Sequence, residues 1–178
     1  MRLLIAGLLG GLAMFVWSFV AHDLTPLGAY GVSPLPNEST TVANLASSIG
    51  DRHGLYVFPM PSSAKPSSAT APGGLLVFNP KFPTALQPSY LVAEFVTEVV
   101  ESLLAAWLLM QTALAAYAMR VVFVTVIGLT GAIVTNVPYW NWYSFPLDYT
   151  VGYSFIEVVA FLVAGLVIAA VLRPRTAA

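Results

Sequence analysis

Residues 90–137 read YLVAEFVTEVVESLLAAWLLMQTALAAYAMRVVFVTVIGLTGAIVTNV, and how this run is divided decides the fold. As one helix it would be about 70 Å long at 1.5 Å per residue, more than twice the roughly 30 Å hydrocarbon core of a bilayer. Residues 111–120 contain neither glycine nor proline to mark a break. Length alone therefore demands a turn, expected near residues 115–120, and divides the run into spans at about 90–114 and 121–137. Pro88, suited to a first helical turn, precedes the earlier of the two. Working outward, residues 3–21 form a preceding span, entered at Arg2 and left at His22 and Asp23, and residues 150–172 form a following one. The first span has the basic start of a signal peptide, but its apolar run is longer than the usual h-region. Phe19 also stands where a cleavage site needs a small residue, so an uncleaved anchor is expected.

Composition agrees. The chain has 178 residues, 58% hydrophobic and 8% charged, against roughly 25% charged in soluble domains, and so short a chain cannot hide that much apolar surface from water. A net charge of -1 provides no basic field for nucleic acid, and the absence of cysteine excludes disulfides and thiolate metal sites. The expected fold is an all-α membrane protein, a four-transmembrane-helix bundle with a small extracytoplasmic cap made of a short helix and a β-hairpin. Arg2, Arg120, Arg173 and Arg175 flank the ends that an arrangement with both termini inside places in the cytoplasm. Arg52, Lys65 and Lys81 fall in the first outer loop, residues 22–87, which is long enough to cross despite its charge.

Within that loop, Asn37 is placed to cap a helix carrying Val42, Leu45, Ala46 and Ile49 on one face, with Gly50 to end it. Residues 54–58 and 74–78 are β-prone runs opened by glycine, able to pair as a hairpin over the outer helix ends. The Ser, Ala and Pro tract between them, residues 61–73, has too little apolar surface to order itself. The second outer connection, residues 138–146, carries Tyr139, Trp140, Trp142 and Tyr143, an aromatic belt for the membrane interface, with a lid or docking surface as the alternative.

Function is sought at charges within spans, each costing about 2.5–3.5 kcal/mol at a helix centre. Glu94, Glu98 and Glu101 fall within about 60° on the helical wheel and form one acidic stripe, with Glu157 at similar depth in the last span. His22 and Asp23 lie at the same level. These six make a candidate polar or cation cluster, and small residues on the second and fourth spans predict that those helices meet with their carboxylates facing inward. A divalent cation site, a proton relay or cation pathway, and an intramembrane hydrolase are the chemical options. The hydrolase lacks any paired-Asp or Gly-x-Ser-x-Gly motif, and the Glu-x-x-His pairs of di-iron bundles are absent. The simpler alternative is structural, with Tyr153, Ser154 or Thr97 hydrogen-bonding the acids. Gly7 and Gly11 in the first span, and Gly165 and Ala169 in the fourth, are small-residue pairs for close helix packing.

The chain resembles a group of small bacterial inner-membrane proteins to which no activity is assigned. The matching features are Trp17 and His22 closing a glycine-rich first span, Pro26-Leu27-Gly28, Leu35-Pro36-Asn37-Glu38 and Gly54-Leu55-Tyr56 before Phe58-Pro59. Tyr139-Trp140-Asn141-Trp142-Tyr143 before Phe145-Pro146 adds the most specific match. The resemblance implies a four-span protein of the bacterial inner membrane. The sequence favours a structural or accessory component of a membrane assembly, not an enzyme, with a cation- or proton-handling protein as the alternative. Expected partners are the lipid bilayer and other membrane proteins or further copies of the chain, with no cofactor.

Overall fold

The computed structural model describes residues 1–59 and 71–172. The chain is mostly helical, at 71%. In order, α1 is Arg2–Phe19, α2 Glu38–Ile49, β1 Gly54–Phe58, β2 Gly74–Phe78, α3 Pro88–Met110, α4 Tyr117–Tyr143 and α5 Leu147–Val171. A π-helical turn, Val20–Leu24, continues α1, and a 3-10 turn, Pro26–Ala29, follows it. Three helical segments are long and apolar enough to cross a membrane: Arg2–Leu24, Tyr117–Tyr143 and Leu147–Val171. With 23 residues, α3 matches them in length, but it carries Glu94, Glu98 and Glu101.

The arrangement is apolar outside and small inside. Val92, Val96, Val100, Leu104 and Trp107 line the outward face of α3, and Leu4, Leu8, Leu12, Val16 and Phe19 are exposed on α1. The buried positions are chiefly Ala6, Gly7, Gly10 and Gly11 on α1, Ala105 and Ala106 on α3, and Ala160, Ala164 and Ala169 on α5. In lipid, where apolar burial does not favour helix contact over lipid contact, helices associate by such close approach. A β-carbon on Gly11 would stand 2.6 Å from the Val99 α-carbon, and one on Gly7 would collide with the Leu103 side chain. The expected pair Gly7 and Gly11 therefore holds α1 against α3.

The second small pair works elsewhere. Gly165 packs on α4, where an added β-carbon would lie 3.1 Å from the Val121 carbonyl and 3.2 Å from the Val124 β-carbon, and Ala169 is buried in the same helix. The expected meeting of α3 and α5 is limited to a small contact and does not use Gly165. Helix α1 lies between them, packed on α3 along one side and on α5 along the other, and α5 packs on α4. Trp17 Nε1 donates to the Ile156 carbonyl at 2.9 Å, and Tyr117 donates to the Leu166 carbonyl at 2.9 Å, tying α1 and α4 to α5. The sequence missed this order because α1 and the inner half of α5 are apolar all round, leaving no polar face there to say which side meets lipid.

Other boundaries shift for identifiable reasons. Helix α3 stops at Met110, not near residue 114, because Thr112 Oγ1 donates to the Leu109 carbonyl at 2.8 Å and Gln111 Nε2 to the Trp107 carbonyl at 3.3 Å. Side chains thus end the helix where glycine usually would. Helix α4 runs through Pro138 to Tyr143, so most of the expected aromatic connection is helical. Proline removes one backbone donor, and the last turn is held by Tyr139 packing on Tyr143 and Phe145, at ring separations of 5.9 and 5.2 Å. Ser144, at φ 56°, ends the helix in the left-handed conformation, with Phe145 N–H bonded to the Tyr139 carbonyl.

In the loop, β1 and β2 pair antiparallel with Gly54 opposite Phe78 and Phe58 opposite Gly74, as expected. Gly50 ends α2 at φ 67°, but Asn37 makes no side-chain cap and no residue of α2 is buried. Lys65, Arg173, Arg175 and most of the Ser, Ala and Pro tract lie outside the described residues.

Replacing Gly11 by Val should force α1 off Val99 and lower stability by about 1–3 kcal/mol, the usual cost of overpacking. Leu12→Ala, on the outward face, should stay within about 0.5 kcal/mol. Reversible unfolding of the full chain in detergent micelles checks both.

Candidate functional site

Antiparallel packing of α1 and α3 creates a seam whose contacts run from Gly7 with Leu103, through Gly11 with Val99, to Phe15 with Phe95, whose rings meet edge to face at 5.5 Å. Side chains on a helix tilt toward its N-terminus, so those of α3 lean toward the end where α1 finishes. Glu98 follows this tilt. Ser18 Oγ, on α1, donates to its Oε1 at 2.6 Å, a short bond of charge-assisted length. Glu98 is only 4% exposed, and its buried Oε2 has no hydrogen-bond partner among the described residues. One helical turn further in, Ser102 is fully buried and its Oγ is likewise unpartnered. Gly10 makes room for it, since an added β-carbon would collide with Ser102 Oγ and press on Ile168 of α5 at 3.1 Å. The seam therefore holds two polar groups with spare hydrogen-bonding capacity in an otherwise apolar contact.

The charged groups acting on Glu98 are Glu94 and Glu101, both of its own sign. Glu94 is exposed and Glu101 half-buried. Glu101 lies within electrostatic reach of Glu157 on α5, so those two helices bring their acids near each other even though α1 separates them over most of their length. Glu157 has its own polar nest on α4: Thr135 Oγ1 and Asn136 Nδ2 each donate to its Oε2 at 3.2 Å. Its Oε1 lies over Gly131, where an added β-carbon would come within 2.7 Å.

Past the C-terminal end of α1, the π-helical turn brings His22 and Asp23 beside α3. Together with Phe15, Ser18, Phe19, Leu91 and Glu94 they line a cleft of about 270 Å³. His22 Nδ1 lies 3.0 Å from the Ser18 carbonyl, an arrangement in which Nδ1 carries the proton, and Tyr153 meets the His22 ring edge-on at 5.9 Å. From His22 an aromatic ladder runs through Tyr153, Tyr149 and Phe145 to Tyr139, with successive ring separations of 5.9, 4.3, 5.4 and 5.2 Å. Tyr139 thus belongs to packing as well as to the belt, whereas Trp142 is 77% exposed.

Of the six expected cluster residues, His22, Asp23 and Glu94 meet in this cleft, Glu98 is bonded to its lining residue Ser18, and Glu101 lies within electrostatic reach of Glu157. Among the described residues, no three His, Asp or Glu side chains are disposed to hold a metal ion, so the divalent option loses its ligand set there. The bonding partners are not the expected ones. Ser18, Thr135 and Asn136 serve Glu98 and Glu157, while the Tyr153 hydroxyl instead reaches the Gly28 carbonyl at 3.5 Å. Ser18 and Ser102 were findable as polar residues inside apolar runs, and Tyr149 and Tyr153 as the i+4 and i+8 continuation of Phe145.

Ser18→Ala should strand a second oxygen of Glu98 and destabilise the chain by about 1–3 kcal/mol. The double variant Ser18→Ala with Glu98→Met, which removes both partners together, should recover most of that loss. A double-mutant cycle on detergent unfolding measures the difference. No protein-family model matches the chain, and comparison with curated proteins and with solved structures likewise yields no match.

Proposed function

We propose that the chain is a four-span protein of a bacterial inner membrane, with both termini cytoplasmic, that handles protons or a small cation through Glu98. The observation that carries this is the carboxyl of Glu98, buried in a helix seam, bonded once by Ser18, with its second oxygen free of partners and only like charges acting on it. An acid placed there is costly, and intramembrane acids of this kind are associated with ion pathways and proton relays. Helix α3 takes the fourth crossing in this reading. Its length suffices, at about 35 Å, it lies alongside α1 through successive turns, and its outward face is apolar. Arg2 and Arg120 fall at the cytoplasmic side in that orientation. Resemblance to small bacterial inner-membrane proteins supports the same placement.

A second reading, an accessory component of a membrane assembly, is favoured by a different feature. A groove of about 590 Å³ lies between the hairpin, at Val57, Phe58 and Gly74, and the helix end at Trp142, Tyr143 and Ser144. It offers an outer-side docking surface apart from the carboxylates.

Full-length protein reconstituted in liposomes tests the first reading. Wild type should dissipate an imposed pH or sodium gradient, and Glu98→Gln should slow that flux at least about tenfold, in keeping with loss of an essential proton or cation acceptor. Flux no faster than in protein-free vesicles, or an unchanged rate in Glu98→Gln, contradicts it. In that case native mass spectrometry from mild detergent should show a bound membrane partner or a defined oligomer.

A further inference from the structure

We infer that the cleft at the outer ends of α1 and α3 is a water-filled entry site that delivers a small monovalent cation, hydronium or sodium, to Glu98 by way of Ser18. This inference rests on the Glu98 reading and adds to it a side of access, an entry site and a relay residue. The cleft is lined by His22, Asp23, Glu94 and Ser18 together with the apolar side chains of Phe15, Phe19 and Leu91. Two carboxylates in a recess bounded by apolar side chains concentrate cations there. One residue of this lining is also the donor to the buried acid. Ser18 Oγ holds Glu98 Oε1 at 2.6 Å, so the 4%-exposed carboxyl stands one hydrogen bond from a residue of the recess.

The Glu98 Oε2, unpartnered among the described residues, marks the binding position, and Ser102 Oγ, also unpartnered there, lies one turn further along α3 against Gly10. For hydronium, the proton passes to the carboxylate, whose charge is neutralised, and water remains in the cleft. For sodium, the Glu98 carboxylate, the Ser18 hydroxyl and water of the cleft supply hard oxygen ligands, and no covalent bond changes. The other charged groups near this path are Glu101 on α3 and, beyond it, Glu157 on α5. No proton acceptor other than Glu98 stands in direct contact with Ser18 Oγ among the described hydrogen bonds.

Because the chain has no cysteine, single cysteines report access without background. Ser18→Cys and, as a second probe in the lining, Glu94→Cys are introduced into the full chain. They are treated in oriented vesicles with a charged, membrane-impermeant methanethiosulfonate from the outer side. Thiols react as thiolates, which form in water and not in lipid. Both should therefore react at least about tenfold faster than Val16→Cys, on the outward apolar face of α1. Flux driven by a pH gradient alone identifies the proton, and flux that requires sodium identifies sodium.

If Ser18→Cys and Glu94→Cys both react no faster than Val16→Cys while wild-type flux is present, the outer entry is overturned and the Glu98 reading stands. If they react but the wild-type chain carries no flux, the Glu98 reading falls and the delivery falls with it.

Discussion

The close approach of α1 to α3 organises the molecule. Gly7 and Gly11 let the two helices meet nearly backbone to backbone, with Val99 and Leu103 filling the space that β-carbons would otherwise take. At that distance the neighbouring turns come into register. Phe15 meets Phe95, Ser18 reaches Glu98, and Ser102 is enclosed against Gly10. A wider separation would admit lipid or water to the Glu98 carboxyl and dissolve the cleft above it. The same helix uses its other side to hold α5 through Trp17 and Ile168, so α1 joins the two halves of the fold.

That central role explains how a mostly apolar chain accommodates its acids. The outer surfaces of the helices are valine, leucine and aromatic residues, while the inward positions mix alanine and glycine with Met14, Leu109, Val124, Phe161 and Ile168 and the polar Glu98 and Ser102. Glu98 and Glu157 are each held by hydroxyl or amide donors from a neighbouring helix, not by basic side chains. Hydrogen bonds of this kind fix the position of an acid while leaving its protonation free to change. An ion pair would hold the carboxylate in its charged form. The aromatic ladder from Tyr139 to His22 braces the outer ends of α4, α5 and α1, which keeps the cleft next to the seam.

Much of this was legible in residue order, for physical reasons. Helix length against bilayer thickness divided residues 90–137, and the wheel positions of Glu94, Glu98 and Glu101 put them on one face. Alternating β-prone runs opened by glycine located the hairpin. What stayed hidden was the order of the helices. The part of α5 beyond Glu157 is apolar around its whole circumference, so Gly165 could have met any neighbour, and it meets α4. Likewise, nothing local in Ser18 distinguishes a serine that bonds its own helix from one that reaches 80 residues along the chain. Pro138 misled for the opposite reason: a strong local helix breaker was overruled by aromatic packing around Tyr139.

The Ser18–Glu98 contact carries the account, and solid-state NMR of the full chain in lipid bilayers observes it directly. With 13C-labelled serine and glutamate, a through-space correlation should join the Glu98 carboxyl carbon to the Ser18 β-carbon and vanish in Ser18→Ala. The Glu98 carboxyl should show no such contact with the Ser154 β-carbon on α5. Absence of the Ser18 correlation, with Glu98 correlated to lipid or to serines of α5 instead, would contradict the seam and the function built on it.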